Sequence, residues 1–264
     1  MSKLSTWARF KKAPIDNPVK TMIITVLICF VASLFVTFSA IQLRPVQKTN
    51  TLNDKRKNIL QVAGIYEEGK TIDEMFKNVE ARVVDIRTGE YTTSVNSDYN
   101  EITGAKDPET SRALTKQEDI ASIRRQSFYK VIYLVKDSSG EFNKIILPIH
   151  GYGLWSTLYG FVAIGTDANT IYALKFYSHA ETPGLGGEVD NPNWRAQWKD
   201  KNLFDDNGKV AIEVVKTGAS GKYQIDALSG ATITSTGVNN LVRFWVGKNG
   251  FGKFLKTTKE QGIQ

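Results

Sequence analysis

Apolar and polar positions follow three different rhythms along this chain. From Met22 to Leu43 the run MIITVLICFVASLFVTFSAIQL carries no charge, and only Thr, Ser and one Gln interrupt it. As a helix these residues reach about 33 Å, against about 30 Å for a hydrocarbon core. The pattern therefore predicts one membrane-crossing helix over 21–43. A cleaved leader is the competing reading, but the stretch is long for one and Phe38-Ser39-Ala40 is a poor cleavage site. The second rhythm is helical. Thr71-Ile-Asp-Glu74 has the form of a capping box, and Ile72, Met75, Phe76, Val79 and Val83 follow at helical spacing. A short helix is expected over Arg56 to Ala63. Asn191-Pro192 opens another with Trp194 and Trp198 one turn apart. Val238, Leu241, Val242, Trp245 and Val246 mark a last one, which starts near Ser235 or Thr236 and stops at Gly250. The third rhythm is that of strands: Tyr129–Val135, Ile145–Ile149, Tyr159–Ile164, Thr170–Tyr177 and Val210–Val215, punctuated by Gly and Pro. Residues 96–127 are polar, suiting a loop with a short helix. The order is mixed, not regularly βαβ, so the fold class is α+β, with a twisted, mainly antiparallel sheet and packed helices.

Charge changes this picture at one end only. The chain of 264 residues has a formal charge of +7. Residues 1–20 hold Lys3, Arg9, Lys11, Lys12 and Lys20 against Asp16, five cations to one acid and a net of +4, which leaves +3 for everything after the apolar run. A nucleic-acid binder concentrates basic residues on its folded domain. Here they precede an apolar helix, where anionic lipid is the simpler partner. Arg9, Lys11, Lys12 and Lys20 before the helix nearly tie with Arg44, Lys48, Lys55, Arg56 and Lys57 after it. The positive-inside rule alone therefore does not orient it. The short tail favours a cytoplasmic N-terminus and an outer main domain, which in a bacterium is periplasmic. The expected organisation is a basic tail (1–20), the membrane helix, a polar linker (44–57) and one domain (58–264). The single cysteine, Cys29, lies inside the apolar run, so neither an intrachain disulfide nor a Cys-based metal site is possible.

Three stretches are candidates for chemistry. SGATITS, residues 229–235, sets four hydroxyl side chains beside Gly-Ala just ahead of a helix, where first-turn N–H groups favour a phosphate. Its plain alternative is a helix cap at Ser235 or Thr236. HAETPGLGGEVDNPNW, from His179 to Trp194, packs Pro and three Gly into a loop that still holds His179, Glu181 and Glu188. Such a loop is a tight structural turn or a wall around a planar ligand. GYGLWSTLYG, Gly151 to Gly160, suits stacking on a flat ring or a hairpin with core aromatics. With only His150 and His179 in the chain, a histidine zinc site has too few ligands. No G-x-G-x-x-G opens a helix and no G-x-S-x-G elbow is present.

Taken together the stretches resemble one family. Asp226-Ala-Leu-Ser229-Gly230-Ala231-Thr232-Ile233-Thr234 resembles the flavinylation motif D-x-x-[ST]-G-A-T-x-[ST], and the ETPGLGGEVDNPNW loop, the GYGLWS stretch and the single anchor accompany it. The domain is similar to the FMN-binding domain shared by the C subunit of sodium-translocating NADH:quinone oxidoreductases and the G subunit of Rnf complexes, with the longer loop and chain length favouring the former. The resemblance implies FMN attached through its phosphate to the last hydroxyl of the motif, Thr234, by a flavin transferase that recognises Asp226. It implies Ser229, Gly230, Ala231 and Thr232 around the phosphate end, with Lys216 a weaker candidate there. Trp155, Glu181, Thr182, Gly184 and Leu185 would surround the ring. It further implies an electron carrier within a multi-subunit membrane redox complex, taking electrons from an iron–sulfur centre and passing them to another flavin subunit, with NADH bound elsewhere. An anchored binding protein without redox function remains the reading from a different class.

Overall fold

The computed structural model describes residue 14 and residues 17–263. Lys3, Arg9, Lys11, Lys12 and Asp16 of the expected basic tail lie outside the described residues. The chain divides into two units between Asp54 and Lys55. Helix α1 spans Pro18–Ala63. Asn17 opens it: its Oδ1 accepts the N–H groups of Val19 and Lys20 at 3.0 and 3.1 Å, and Pro18 needs no partner at the first helical position. Met22, Phe30, Phe35, Phe38 and Leu43 on this helix are all exposed, on a segment long and apolar enough to cross a membrane. Stretch 44–57, expected as a linker, is helical, with Pro45 inside the helix. The short helix expected over Arg56–Ala63 is the end of α1, and there Ile59, Leu60, Val62 and Ala63 are buried.

The second unit, from Lys55 on, is built on one sheet. Its elements in chain order are α2 (Ile72–Phe76), β1 (Val79–Asp85), β2 (Glu90–Tyr91), α3 (Glu101–Gly104), β3 (Ser111–Ala113), β4 (Arg125–Ser127), β5 (Tyr129–Lys136), β6 (Phe142–Tyr152), β7 (Thr157–Gly165), β8 (Ile171–Ser178), α4 (Pro192–Ala196), β9 (Glu213–Val215), β10 (Gln224–Asp226), α5 (Thr232–Val246) and α6 (Gly252–Gln261). Six strands form the order β2-β1-β5-β6-β7-β8, every neighbour antiparallel. The fold is α+β with a mainly antiparallel sheet; β9 and β10 form a small parallel pair apart from it.

Both faces of the sheet are covered. Ile132, Leu134, Ile145, Leu147, Val162 and Leu174 face the cluster that holds Val238, Leu241, Trp245 and Phe254 of α5 and α6. Val131, Tyr133, Val135, Ile146, Phe161 and Ala163 face the other way, toward Ile59, Val62 and Ala63. Successive side chains of a strand point to opposite faces. That explains why YKVIYLV reads as an unbroken apolar run instead of an alternation.

Several sequence expectations shift. The capping box forms at Thr71, with Glu74 reaching back, but the helix ends at Phe76. Val79 and Val83 lie on β1, opposite Val135 and Val131 of β5. β-branched residues on both sides of the ladder favour the strand over continued helix. Only Glu213–Val215 of the expected 210–215 strand is regular; Val210 forms an isolated bridge to Phe204. Trp198 lies beyond α4 yet packs edge-on against Trp194 at 5.8 Å. Helix α5 starts at Thr232, three residues before the expected Ser235, and ends at Val246 before Gly250. The polar helix α6, of which only Phe254, Leu255 and Thr258 are buried, carries too weak an apolar stripe to be read from the pattern.

Candidate functional site

The end of β6, the start of β7 and the end of β8 meet at one end of the sheet, because β6 and β7 pair as far as Tyr152↔Thr157 and β8 pairs as far as Tyr159↔Ser178. This brings two loops together, the hairpin 153–156 and the segment following Ser178. The N-terminus of α5 closes the group from a third direction. Glycines permit the approach. A Cβ on Gly237 of α5 would sit 2.5 Å from the carbonyl oxygen of Tyr152, and one on Gly186 would sit 2.5 Å from Thr234 Oγ1.

Glu181 ties the three pieces together. Its carboxylate accepts the hairpin N–H groups of Leu154, Trp155 and Ser156 at 3.1, 3.0 and 3.3 Å. It also accepts the hydroxyl of Thr234 at 2.6 Å. Glu181 is 5 % and Thr234 1 % exposed. Burial by itself would raise the Glu181 carboxyl, but these hydrogen bonds, Thr234 foremost, outweigh it and hold the group below the ordinary carboxylate range. Ser156 Oγ accepts the N–H of Ala180 at 2.7 Å. His179 braces the same loop: its Nδ1 accepts the N–H of Glu181 at 3.3 Å and its Nε2 lies 3.0 Å from Asp190. His179 is therefore a loop brace. Among the described residues there is no cluster of three metal-ligating side chains.

The SGATIT turn is not capped as the sequence suggested. The position before α5 is Ala231, which supplies no side-chain cap. Ser235 lies inside the first turn, and its Oγ accepts the N–H of Leu228 at 2.9 Å. Thr236 donates to the carbonyl of Thr232. Gly230 takes φ +71°, a left-handed conformation that disfavours a side chain, and a Cβ there would stand 3.1 Å from Leu185. Gly184 also takes a positive φ, +76°. Ser229, Gly230, Thr232 and Ile233 are exposed, whereas Ala231, Thr234 and Ser235 are buried. The first-turn N–H groups of Thr232, Ile233 and Thr234 have no partner within the helix.

Around this turn the surface is apolar and uncharged. Residues 152–157, 182–187 and 229–234 contain no charged side chain. Trp155 is 65 % exposed, and Tyr152, Leu154, Leu185 and Ile233 are exposed with it. A flat ring could lie here with an anionic tail at the start of α5. The structure thus groups Trp155, Glu181, Thr182, Gly184 and Leu185 with the 229–234 turn. It places Asp226 differently: at the end of β10 its Oδ1 accepts the N–H of Ala219 at 2.8 Å, while its backbone bonds Gln197 and Trp194. Lys216 is an exposed side chain just past β9. Ser156, Gly186 and Gly237 are site-building residues that sequence reasoning passed over, and Ser235, expected as a cap, bonds backward to Leu228 instead. The Gly186-Gly187 pair was the available signal for one of them.

An FMN-binding domain model matches residues 153–247, which contain all three pieces of the site. The chain is 43 % identical over 255 residues to the C subunit of a Na(+)-translocating NADH-quinone reductase of Pseudomonas aeruginosa, covering 93 % of this chain and 97 % of that protein. It is 46 % identical to the protein of the same name from Vibrio alginolyticus, covering 93 % and 96 %. The crystal structure of Shewanella oneidensis NqrC superposes with a TM-score of 0.74 at 36 % identity, covering 80 % of this chain and all of that one. The C subunit of the reductase from Parabacteroides distasonis gives 0.64 at 29 % identity, covering 81 % and 96 %.

Proposed function

Because the chain belongs to the C-subunit family of Na(+)-translocating NADH-quinone reductases, we propose that it is the membrane-anchored subunit of such an oxidoreductase complex and carries FMN as a phosphodiester on the SGATIT turn. The attachment point we propose is Thr232, not Thr234. Thr232 is exposed at the first position of α5, where first-turn N–H groups and the helix dipole favour the negative charge a phosphodiester keeps, by about 0.3–1 kcal/mol. Thr234 is 1 % exposed with its hydroxyl on Glu181. A phosphodiester there would set a second anion against a buried carboxylate, costing about 4 kcal/mol at a 4 Å separation and an effective dielectric near 20. That contrast between two threonines in one helical turn is the observation that carries the assignment.

Bound FMN supplies reversible electron chemistry. The protein's own residues position it: Gly230 lets the backbone approach the phosphate, while Trp155, Leu185 and Ile233 offer uncharged surface to the ring. Thr182 and Gly184 shape the loop, and Thr182 O accepts the N–H groups of Leu185 and Gly187. Glu181 fixes the hairpin from beneath. Covalent attachment allows such a site to stay shallow, so the ring can face a partner without being lost. In this reading a flavin transferase recognises the stretch from Asp226 to Thr232 on a domain spanning 58–264. Helix α1 anchors the domain in the bacterial inner membrane with the domain on the periplasmic side. Electrons arrive from an iron–sulfur centre in neighbouring subunits and leave to another flavin subunit. No ionisable side chain other than the Cys29 thiol lies between residues 21 and 43, so the anchor offers no sodium path.

The test is the intact mass of the denatured protein from a host with an active transferase, followed by fragmentation of the modified peptide. A gain of one FMN less one water on Thr232 is expected. The same gain on Thr234 would overturn the assignment within the turn, and an unmodified mass would overturn covalent carriage altogether.

A further inference from the structure

A second opening lies behind the Tyr152–Thr157 hairpin. It is a cavity of about 540 Å³ lined by Lys106, Arg124 and Arg125 together with His150, Tyr152 and Tyr159. No carboxylate lines it. Sites of this size hold small organic molecules.

The cationic part of the lining is preformed. Asp119 accepts the N–H groups of Ile123 and Arg124, both at 2.8 Å, and the N–H of Tyr152 bonds to Ala121 O at 2.9 Å. Ser122 and Arg124 take φ values of +54° and +65°. Two non-glycine residues held in the left-handed region so close together mark a loop whose shape its surroundings impose. Arg125 donates to Ala105 O at 3.1 Å and Ser111 Oγ at 2.7 Å, both neutral acceptors. Among the described residues Lys106, Arg124 and Arg125 form no ion pair with a carboxylate.

The part of the lining that β6 and β7 supply is aromatic. His150 stacks on Tyr159 with centroids 5.6 Å apart and rests on Trp245 at 4.8 Å. Behind it Lys130, 1 % exposed, points its Nζ at the Trp245 ring from 4.3 Å. Burial, assisted by Lys130, drives the His150 pKa well below its ordinary value, so the ring offers one donor and one acceptor at neutral pH. The side chains that line the cavity include three cations and no carboxylate; Asp119 lies behind the Arg124 loop on backbone N–H groups, and Glu101 acts on Lys130.

We propose that this cavity binds a small aromatic oxyanion, a flat ring carrying a phosphate or a carboxylate. Arg124 and Lys106 take the oxyanion, with Arg124 free to present its guanidinium fork. Tyr152, Tyr159 and His150 take the ring. The site is separate from the 229–234 turn and needs no FMN, yet it shares the hairpin with it.

The test is calorimetric titration of phenyl phosphate and of benzoate into the full chain in zwitterionic detergent, with benzyl alcohol as the neutral ring and inorganic phosphate as the ringless anion. Saturable binding of phenyl phosphate or benzoate is expected. It should weaken at least tenfold in the double variant Arg124→Asn, Lys106→Gln and survive in Arg124→Lys. Asn is chosen because it tolerates a positive φ, and Arg124 is exposed, so the variant should fold. Absence of saturable binding would overturn the proposal, as would unchanged binding by the double variant. Benzyl alcohol binding as tightly as phenyl phosphate would remove the role of charge, and inorganic phosphate binding as tightly would remove the role of the ring.

Discussion

Glu181 and Lys130 are both buried charges in one domain, and the chain treats them in opposite ways. Glu181 receives three backbone N–H groups and a hydroxyl. Lys130 faces the π-surface of Trp245 and has no carboxylate within ion-pairing distance among the described residues. The first charge is stabilised below its ordinary pKa in spite of burial. The second is pushed down by burial from 10.5 to about 8, with Glu101 opposing. A charge saturated by its own chain is a fastening. A charge left to a ring face costs stability, and it surrounds itself with positive potential that something outside the chain can use.

Replacement of each charge sharpens the contrast. Glu181→Ala leaves several buried donors without an acceptor, so it should lose about 4 kcal/mol in urea unfolding of the full chain in detergent. A loss under about 1 kcal/mol, the net worth of a single ordinary hydrogen bond, would show that the carboxylate is not the fastening. Lys130→Met should act in the other direction, gaining about 3 kcal/mol at pH 7, since a shift from 10.5 to about 8 corresponds to that cost. The sign with pH follows. The unfolded chain holds the Lys130 proton up to 10.5 and the folded one only up to about 8. Stability should therefore rise as pH climbs from about 8 toward 10.5 and flatten above. Lys130→Met should erase that rise, and a rise that persists in the variant would assign it to another group. Gly186→Ala, whose Cβ would crowd both Thr234 Oγ1 and Glu181 Oε2, should cost about 2 kcal/mol. Thr234→Val is a smaller perturbation of stability. It removes one hydrogen bond, costs about 1–2 kcal/mol and keeps the covalent flavin, whereas Thr232→Val should lose the flavin with little change in stability.

Much of this is legible in the residues. The membrane helix, the central strands and the Thr71 and Asn191 caps follow from patterns of one or two elements. The three loops around the site are legible as motifs, and the structure brings them together. The departures have local causes. Val79 and Val83 fit a helix by spacing, but β5 offers them a partner edge, and sequence periodicity contains no information about a strand some fifty residues away. The start of α5 falls earlier than expected because Ser235 has the composition of a cap, whereas its hydroxyl bonds backward to Leu228 from within the first turn. The difference between Thr232 and Thr234 is invisible in the sequence for the same reason: only the loop carrying Glu181 decides which hydroxyl is covered. Lys130 reads from sequence as an ordinary strand lysine, because its burial depends on Trp245, more than a hundred residues later.

The hydrogen bond between Thr234 and Glu181 joins positions 53 apart, and the hairpin it secures lies earlier still. Contacts this distant form late, once most of the chain has been made and that end of the sheet exists. Until then the turn has neither its covered threonine nor its presented one. A modifying enzyme that reads the presented hydroxyl would therefore act after folding, and the attached group would serve as a timestamp that the domain had reached its native shape.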